Sequence, residues 1–393
     1  MPKLATPPPL NNPDLGPELD PAPNACQRPA WLPSYIPELE GLRGLAVLAV
    51  VFYHCHERLI GTWVYKPVLW GWAGVNLFFA LSGFLITAIL IEARGKPHYF
   101  RNFYARRILR IWPVYFLLLA VCYTVPAWFL GDTLAHQSNW KILVSYALFV
   151  QNLRHFALPG TLGPTWSLAI EEQYYFVWAP IVKWSRPSRE KTSPGHRDLH
   201  QWILPTVLVL MVLASPIFRL SHAHFLNKTH TLIHLDGIAL GSLLALGLYT
   251  LRLARRTWLL IGLGAAVLGF TLTGTLFAGT SFLDSGLSLG FAGIVLIAVA
   301  ATGTKSGAGN WLLVLLRRGP LPFYGRISYG LYMTHILVFV YFGNFDARLS
   351  GGNGIQVLNN LAIVALRLVT STLAATILWY AFESQILKLK RFF

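Results

Sequence analysis

Apolar stretches of about twenty residues recur along this chain and are separated by short polar segments. An α-helix needs about this length to cross the hydrocarbon core of a bilayer, where every backbone hydrogen bond must be satisfied internally. Of the 393 residues, 54% are hydrophobic and only 12% are charged, which is about half the charged fraction of a typical soluble domain. The pattern therefore predicts an all-α, polytopic integral membrane protein.

We expect about ten transmembrane helices along the chain. Their predicted ranges are residues 42–60, 74–93, 111–130, 165–184, 202–218, 234–250, 257–277, 282–302, 327–343 and 360–385. The apolar segment at residues 141–153 is too short to cross a bilayer comfortably, and both neighbouring helices end on the same side of the membrane. We therefore predict that this segment is re-entrant or interfacial.

Basic residues crowd into every second segment between the predicted helices. These basic segments lie within residues 94–110, 183–197, 252–256, 305–318 and 388–391. The positive-inside rule then places both termini and these segments in the cytoplasm. The concentration of basic residues in the predicted cytoplasmic segments thus accounts for the net charge of +16. Because no nucleic-acid-binding motif accompanies it, the lipid bilayer is the expected partner and nucleic acid is not.

The regions outside the apolar core are short. Residues 1–35 are rich in Pro and Asn and lack the apolar centre of a signal peptide, so they are predicted to be a disordered cytoplasmic tail. Residues 36–386 form the predicted transmembrane domain, and residues 387–393 a basic cytoplasmic C-terminal tail. The three cysteines show neither a disulfide framework nor a zinc-binding spacing, so no metal site is expected.

Arg43 and His54 lie on one apolar helix, eleven positions apart. This separation is close to three helical turns, so both side chains point the same way and lie about 16 Å apart along the helix axis. Ionisable groups inside a membrane are costly and are kept mainly for function. The pair therefore predicts a cation near one membrane surface and an imidazole near the midplane, on the same face of the helix.

Five segments carry further motifs in a consistent order along the chain. The segments are LEGLRGLAVLAVVFYH, GWAGVNLFFALSGFLIT, FYARRILRIWPVY, TWSLAIEEQYYFVWAP and GRISYGLYMTH. With them the chain resembles the acyltransferase 3 family of integral membrane O-acyltransferases, over about residues 35–385. The resemblance implies an enzyme of the bacterial inner membrane that takes part in polysaccharide O-acetylation. It also implies acyl-CoA, most simply acetyl-CoA, as the donor, with no bound cofactor.

His54 is the predicted general base, which would take the proton from an acceptor hydroxyl, because a histidine side chain titrates close to physiological pH. A transient acyl-histidine is a chemical alternative. His56 is a rival base, but its side chain is expected to point about 200° away from the face that carries Arg43. A histidine that only packs against a neighbouring helix is the structural alternative.

Arg43 is expected to anchor the phosphates of the acyl-CoA donor, since the resemblance and its register with His54 both favour this role. Arg107 and Arg110 lie three residues apart and share a helix face, so they are predicted to bind the same phosphates. Guanidinium groups form well-oriented hydrogen bonds with phosphate oxygens. The alternative is that these arginines are ordinary basic residues at a membrane surface.

Two polar positions fall within apolar helices. Ser82 is predicted to line a narrow channel for the acyl-pantetheine arm, while simple packing of Ser82 and Gly83 against another helix is the alternative. Glu171 and Glu172 are consecutive, so they point about 100° apart and one of them is expected to face the core. Both remain candidates, with Glu172 slightly preferred, to orient His54, stabilise its charged form or bind sugar hydroxyls.

The late part of the chain carries weaker signals. Tyr332 and His335 resemble the last family motif and are predicted to contact substrate. His234 stands two residues before Asp236, where the family usually has Arg, so the role of this segment stays open.

The leading hypothesis is an O-acyltransferase that acts on a glycan or another carbohydrate-bearing acceptor. A macrolide or a lipid is the main alternative acceptor. A transporter or flippase without acyl chemistry is the alternative class, because buried His and Glu residues also suit proton relay. The absence of an internal repeat weakens that class.

Overall fold

The structure is a computed structural model that describes residues 28–124, 140–153, 160–185, 200–225, 228–303, 311–349 and 356–393. Within these ranges the chain is almost entirely helical and contains no β-strand, which confirms the all-α prediction. Most of the predicted N-terminal tail lies outside the described residues.

The helices follow one another with short connections. Their bounds are α1 Pro37–Tyr53, α2 Tyr65–Leu69, α3 Gly74–Ala93, α4 Tyr99–Thr124, α5 Trp140–Ala147, α6 Thr165–Trp184, α7 His200–Phe225, α8 Leu235–Thr250, α9 Arg255–Gly274, α10 Leu283–Ala301, α11 Trp311–Arg318, α12 Pro320–Leu349, α13 Gln356–Leu378 and α14 Ser384–Leu387. Between α13 and α14 lies a π-helical turn, Trp379–Glu383, and after α14 the 3₁₀ segment Lys388–Phe392.

Six helical segments of the described chain are long and apolar enough to cross a membrane. They are Tyr65–Ala93, Tyr99–Thr124, Trp202–Leu220, Arg255–Gly274, Leu283–Ala301 and Gln356–Phe392. The sequence predicts four more crossings, in α1, α6, α8 and α12, and these do not meet the same criteria. Helix α8, for example, is apolar but has only 16 residues. The structure therefore supports a polytopic membrane protein, while the count of ten crossings is not confirmed.

The segment predicted to be re-entrant or interfacial forms the short helix α5 and a 3₁₀ turn, Gln151–Leu153. Eight helical residues rise about 12 Å, which is less than half of the hydrocarbon core. The segment is thus too short to span, as the sequence predicts.

Helix α1 packs against α3, α10, α11 and α12. Small residues allow its close approach to α12. A Cβ atom added to Gly44 would lie 2.1 Å from the main-chain oxygen of Leu321, and one added to Gly325 would lie 2.0 Å from that of Glu40. Such small-residue contacts are the usual way in which helices associate inside a bilayer. They fix the position of Arg43, one residue before Gly44, relative to α12.

Candidate active site

A cavity of about 70 Å³ lies between α1, α3, α6 and α12. Its polar lining comes from each of these helices, and includes Arg43, Ser82, Glu171 and Tyr332. All four were predicted from the sequence as site residues, although they are widely separated along the chain. The helical bundle therefore brings together one cation, one carboxylate and five Ser and Tyr hydroxyl groups around a space whose other lining is apolar.

Glu171 and Glu172 face different surroundings in this arrangement. The carboxylate of Glu171 accepts hydrogen bonds from Ser82 Oγ at 3.0 Å and from Tyr175 Oη at 2.7 Å, and it lines the cavity. Glu172 Oε2 accepts a hydrogen bond from Trp112 Nε1 at 3.0 Å. The other oxygen, Oε1, is buried without a hydrogen-bond partner among the described residues. The slight sequence preference for Glu172 is thus not matched by the structure, which places Glu171 at the cavity.

The three predicted donor-binding arginines lie within electrostatic reach of one another. Arg43 interacts with both Arg110 and Arg107, although helix α1 and helix α4 are distant in sequence. Glu171 interacts electrostatically with Arg43 and Arg107 and offsets part of this positive charge. We refer to Arg43, Arg107 and Arg110 as the arginine cluster. Its concentration of positive charge suits an anionic ligand.

His54 and His335 form a pair on the far side of Tyr332. Nε2 of His335 lies 3.3 Å from Nδ1 of His54, and the two ring centres are 4.9 Å apart. His335 is fully buried, whereas His54 is only partly buried. The ring of Tyr332 lies 5.8 Å from that of His335, so one side chain borders both the cavity and the histidine pair.

The main-chain partners of the pair assign its proton positions. Nδ1 of His54 lies 2.9 Å from the carbonyl oxygen of Val50, and Nδ1 of His335 lies 2.7 Å from that of Tyr332. Since a carbonyl oxygen can only accept, each neutral ring carries its proton on Nδ1. The one Nδ1 proton of His54 is then shared between the Val50 carbonyl oxygen at 2.9 Å and Nε2 of His335 at 3.3 Å, and Nε2 of His54 is unprotonated. The arrangement leaves His54 with a basic nitrogen.

His56, the rival base, is placed differently. Its ring stacks on Tyr53 at a centroid distance of 5.3 Å, and its Nδ1 lies 2.7 Å from the Tyr53 carbonyl oxygen. The ring of Tyr53 also makes an edge contact with His54. His56 therefore packs on the face of Tyr53, whereas His54 makes an edge contact with that ring and pairs with His335.

A second, larger cavity of about 540 Å³ opens at the end of the bundle where α1 ends and α8 and α10 begin. Its lining includes Tyr53, Trp72, His234 and Asp284. The volume is typical of small-molecule sites. The ring of Trp166 lies 4.8 Å from that of His234, and Phe79, which lines the first cavity, lies 6.0 Å from His234. Aromatic side chains thus separate the two cavities.

Arg219 lines the second cavity and was not predicted from the sequence. Its guanidinium group lies 2.5 Å from Asp236 Oδ2 and donates to the carbonyl oxygen of Ser281 at 2.8 Å. Asp236 is therefore paired with a cation from the neighbouring helix α7. An arginine within the otherwise apolar run 202–220 was the available signal.

In the part of the chain that the structure describes, no group of three or more His, Cys, Asp or Glu side chains could hold a metal ion. Cys55 and Cys122 are buried. They act as small packing residues, as expected for cysteines within apolar helices.

Comparison with known proteins extends these observations. Residues 36–380 match the model of the family described as an acyltransferase domain, Acyl_transf_3. The chain is 30% identical to the putative peptidoglycan O-acetyltransferase YrhL of Bacillus subtilis over 222 residues, or 52% of this chain and 33% of that protein.

Two further relatives match over longer stretches. The chain is 27% identical to the peptidoglycan O-acetyltransferase OatA of Listeria monocytogenes over 325 residues, 77% of this chain and 49% of the relative. It is 26% identical to the O-acetyltransferase OatA of Staphylococcus aureus over 340 residues, 79% of this chain and 52% of the relative. The chain thus spans about half the length of these relatives. No solved structure matches it.

Proposed function

Because this chain belongs to the acyltransferase 3 family, we propose that it is a membrane O-acyltransferase that transfers an acyl group, most simply acetyl, from acyl-CoA to a glycan hydroxyl. The observation that carries the proposal is the position of the arginine cluster and the His54–His335 pair on two sides of Tyr332. The names of the relatives, two of which refer to peptidoglycan, support a glycan acceptor.

The donor binds at the arginine cluster in this proposal. The phosphates of CoA are held by Arg43, Arg107 and Arg110, since guanidinium groups pair with phosphate oxygens through two parallel hydrogen bonds. The acyl-pantetheine arm then extends along the cavity lined by Ser82 and Tyr332. The proposal keeps the predicted cytoplasmic position of both termini, which puts this end of the bundle in the cytoplasm, where acyl-CoA is available.

His54 acts as the general base. Its unprotonated Nε2 takes the proton of the acceptor hydroxyl as that oxygen attacks the thioester carbonyl carbon. The tetrahedral intermediate collapses with cleavage of the C–S bond, and the departing CoA sulfur receives the proton from His54. His335 is a positioning residue, because its Nε2 accepts a hydrogen bond from Nδ1 of His54 and so supports, together with the Val50 carbonyl oxygen, the tautomer of the base.

The second cavity receives the acceptor. Trp72 and Tyr53 offer aromatic faces on which a sugar ring can pack, while His234 and Asp284 offer hydrogen-bonding groups for its hydroxyls. Tyr53 immediately precedes His54 and contacts its ring, so an acceptor in this cavity lies next to the base.

The test is the release of free thiol from acetyl-CoA by the full chain in lipid nanodiscs, with a soluble peptidoglycan oligosaccharide as acceptor. The wild-type protein should release thiol in proportion to acceptor acetylation. His54→Ala should lower this rate by about 100-fold or more, because a general base contributes about 10²–10⁴-fold. His56→Ala is the matched control and should keep most of the activity.

Two results would contradict the proposal. If the wild-type protein binds acetyl-CoA but neither releases thiol nor acetylates any hydroxyl acceptor, the protein does not catalyse acyl transfer. If His54→Ala keeps normal turnover while His56→Ala loses it, the protein is still an acyltransferase, but its general base is His56 and not His54.

A further inference from the structure

Glu383 is a buried carboxylate outside the segment that matches the family model, which ends at residue 380. Its side chain is 2% exposed, and neither carboxylate oxygen has a hydrogen-bond partner among the described residues. A buried carboxylate without hydrogen bonds is costly unless cations compensate it. Those cations are Arg110, Arg43 and Lys390, all of which interact electrostatically with Glu383.

The backbone around Glu383 places it against the arginine cluster. Glu383 ends the π-helical turn Trp379–Glu383, and this turn, α14 and the Lys388–Phe392 segment all pack against α4. π-helical turns are rare and occur frequently at functional sites. The widened turn therefore presents Glu383 to the helix that carries Arg107 and Arg110.

Lys390 lies on the same surface of α4. The segment that contains it is docked there by a hydrogen bond of 2.8 Å from Arg106 Nε to the Phe393 main-chain oxygen. The guanidinium group of Arg101 also lies 5.7 Å from the Phe393 ring centre. Lys390 is partly buried, unlike its neighbour Lys388, which is exposed.

The charges around Lys390 are unbalanced. It interacts electrostatically with three arginines of α4, Arg106, Arg107 and Arg110, and with the carboxylate of Glu383. Like charges held together repel one another, so a group that concentrates cations in this way attracts an anion of more than one charge. A lysine side chain adds three rotatable donors that suit phosphate oxygens.

We propose that Lys390 is a phosphate-binding residue that completes the arginine cluster, and that Glu383 is the resident counter-ion with which an incoming phosphate competes. This inference rests on the proposed function, and it assigns the phosphates to the CoA part of the donor. An anionic lipid headgroup offers the same phosphate chemistry, and the experiment separates the two sources.

The first measurement is the equilibrium affinity of the full chain for CoA in phosphatidylcholine nanodiscs. Lys390→Met should weaken CoA binding by about tenfold, as expected for the loss of one charge-assisted hydrogen bond. Lys390→Arg keeps the charge and should bind CoA like the wild type. Lys388→Met is the matched control, because Lys388 is exposed and donates to Gln385 Oε1 at 2.6 Å, and its affinity should not change.

Glu383→Gln supplies a test of opposite sign. Removal of the competing negative charge should tighten CoA binding by about threefold, while Lys390→Met weakens it. A purely structural role predicts instead that both variants lose CoA affinity together with thermal stability, and that result would overturn the inference.

Three other outcomes also overturn it. Unchanged CoA affinity in Lys390→Met, with normal binding by the wild type, rejects the inference and leaves the proposed function intact. If Lys390→Met loses only phosphatidylglycerol, measured by native mass spectrometry, the site binds a lipid headgroup instead. Failure of the wild type to bind CoA at all removes the proposed donor, and the inference with it.

Discussion

At the scale of single residues, neighbouring side chains on one helix have separate environments. Glu171 accepts hydrogen bonds from Ser82 and Tyr175 beside the cavity, whereas Glu172 turns toward Trp112 on α4. The roughly 100° between consecutive helical positions accounts for this division. The carboxylate at position 171 therefore shares the space of Arg43, and the one at 172 does not line it.

We expect Glu171→Gln to reduce thiol release from acetyl-CoA by about tenfold or more. Gln keeps the shape of the side chain but removes the charge that balances Arg43 and Arg107 beside the donor arm. Glu172→Gln is the matched substitution one position away and should retain most of the activity. Steady-state rates of thiol release for both variants check this prediction. Equal losses of rate in Glu171→Gln and Glu172→Gln would contradict a specific role for the carboxylate that lines the cavity.

At the scale of helices, α3 uses consecutive residues for chemistry and for packing. Ser82 lines the cavity, while Gly83 meets α8, where an added Cβ atom would lie 2.0 Å from the main-chain oxygen of Ile238. The sequence left two interpretations of this Ser-Gly pair, a channel wall or helix packing. In the structure Ser82 lines the cavity and Gly83 packs against another helix. The close approach of α3 and α8 fixes the wall on which Ser82 lies.

Gly83→Ala should destabilise the protein, because its new methyl group meets backbone that cannot move aside easily; overpacking of this kind costs about 1–3 kcal/mol or more. Gly264→Ala in α9 is the matched control, since its added Cβ atom has nothing within 4 Å. The midpoint of thermal unfolding in detergent should fall only for Gly83→Ala. Equal midpoints would show that the α3–α8 contact is looser than described.

At the scale of the whole molecule, aromatic side chains separate the two cavities, because Phe79 of the smaller cavity and Trp166 both lie against His234 of the larger one. Arg43 lines the smaller cavity, and the larger cavity with Trp72 opens at the end where α1 finishes. Under the proposed function, donor and acceptor therefore occupy separate cavities. Changes at one cavity should therefore affect one substrate selectively.

Trp72→Ala should raise the KM for the oligosaccharide acceptor by about tenfold and leave the KM for acetyl-CoA unchanged, because it removes an aromatic face from the larger cavity only. Trp72→Phe should restore much of the acceptor affinity. Trp63→Ala serves as the control, since Trp63 precedes the same region but is 89% exposed. A rise in the acetyl-CoA KM alone would place the donor at this cavity.

The sequence by itself determined the structural class of the protein and predicted residues that the fold brings together. Hydropathy and length predict an all-helical membrane protein, because the bilayer imposes one length and one hydrogen-bonding rule on every crossing. Helical periodicity and motif order predicted Arg43, His54, Ser82 and Tyr332 as site residues, and α1, α3 and α12 bring these four to one region. The number of crossings is not confirmed, because α1, α6, α8 and α12 depart from the length and hydropathy of a simple span.

The tertiary structure alone decided which of these groups meet. In a membrane helix every face is apolar, so periodicity does not reveal which neighbour a given face contacts. The choice of Glu171 over Glu172, the pairing of Arg219 with Asp236 and the approach of Glu383 to the arginine cluster all depend on helix packing. Close contacts between small residues set that packing, and they join helices that lie far apart in the chain.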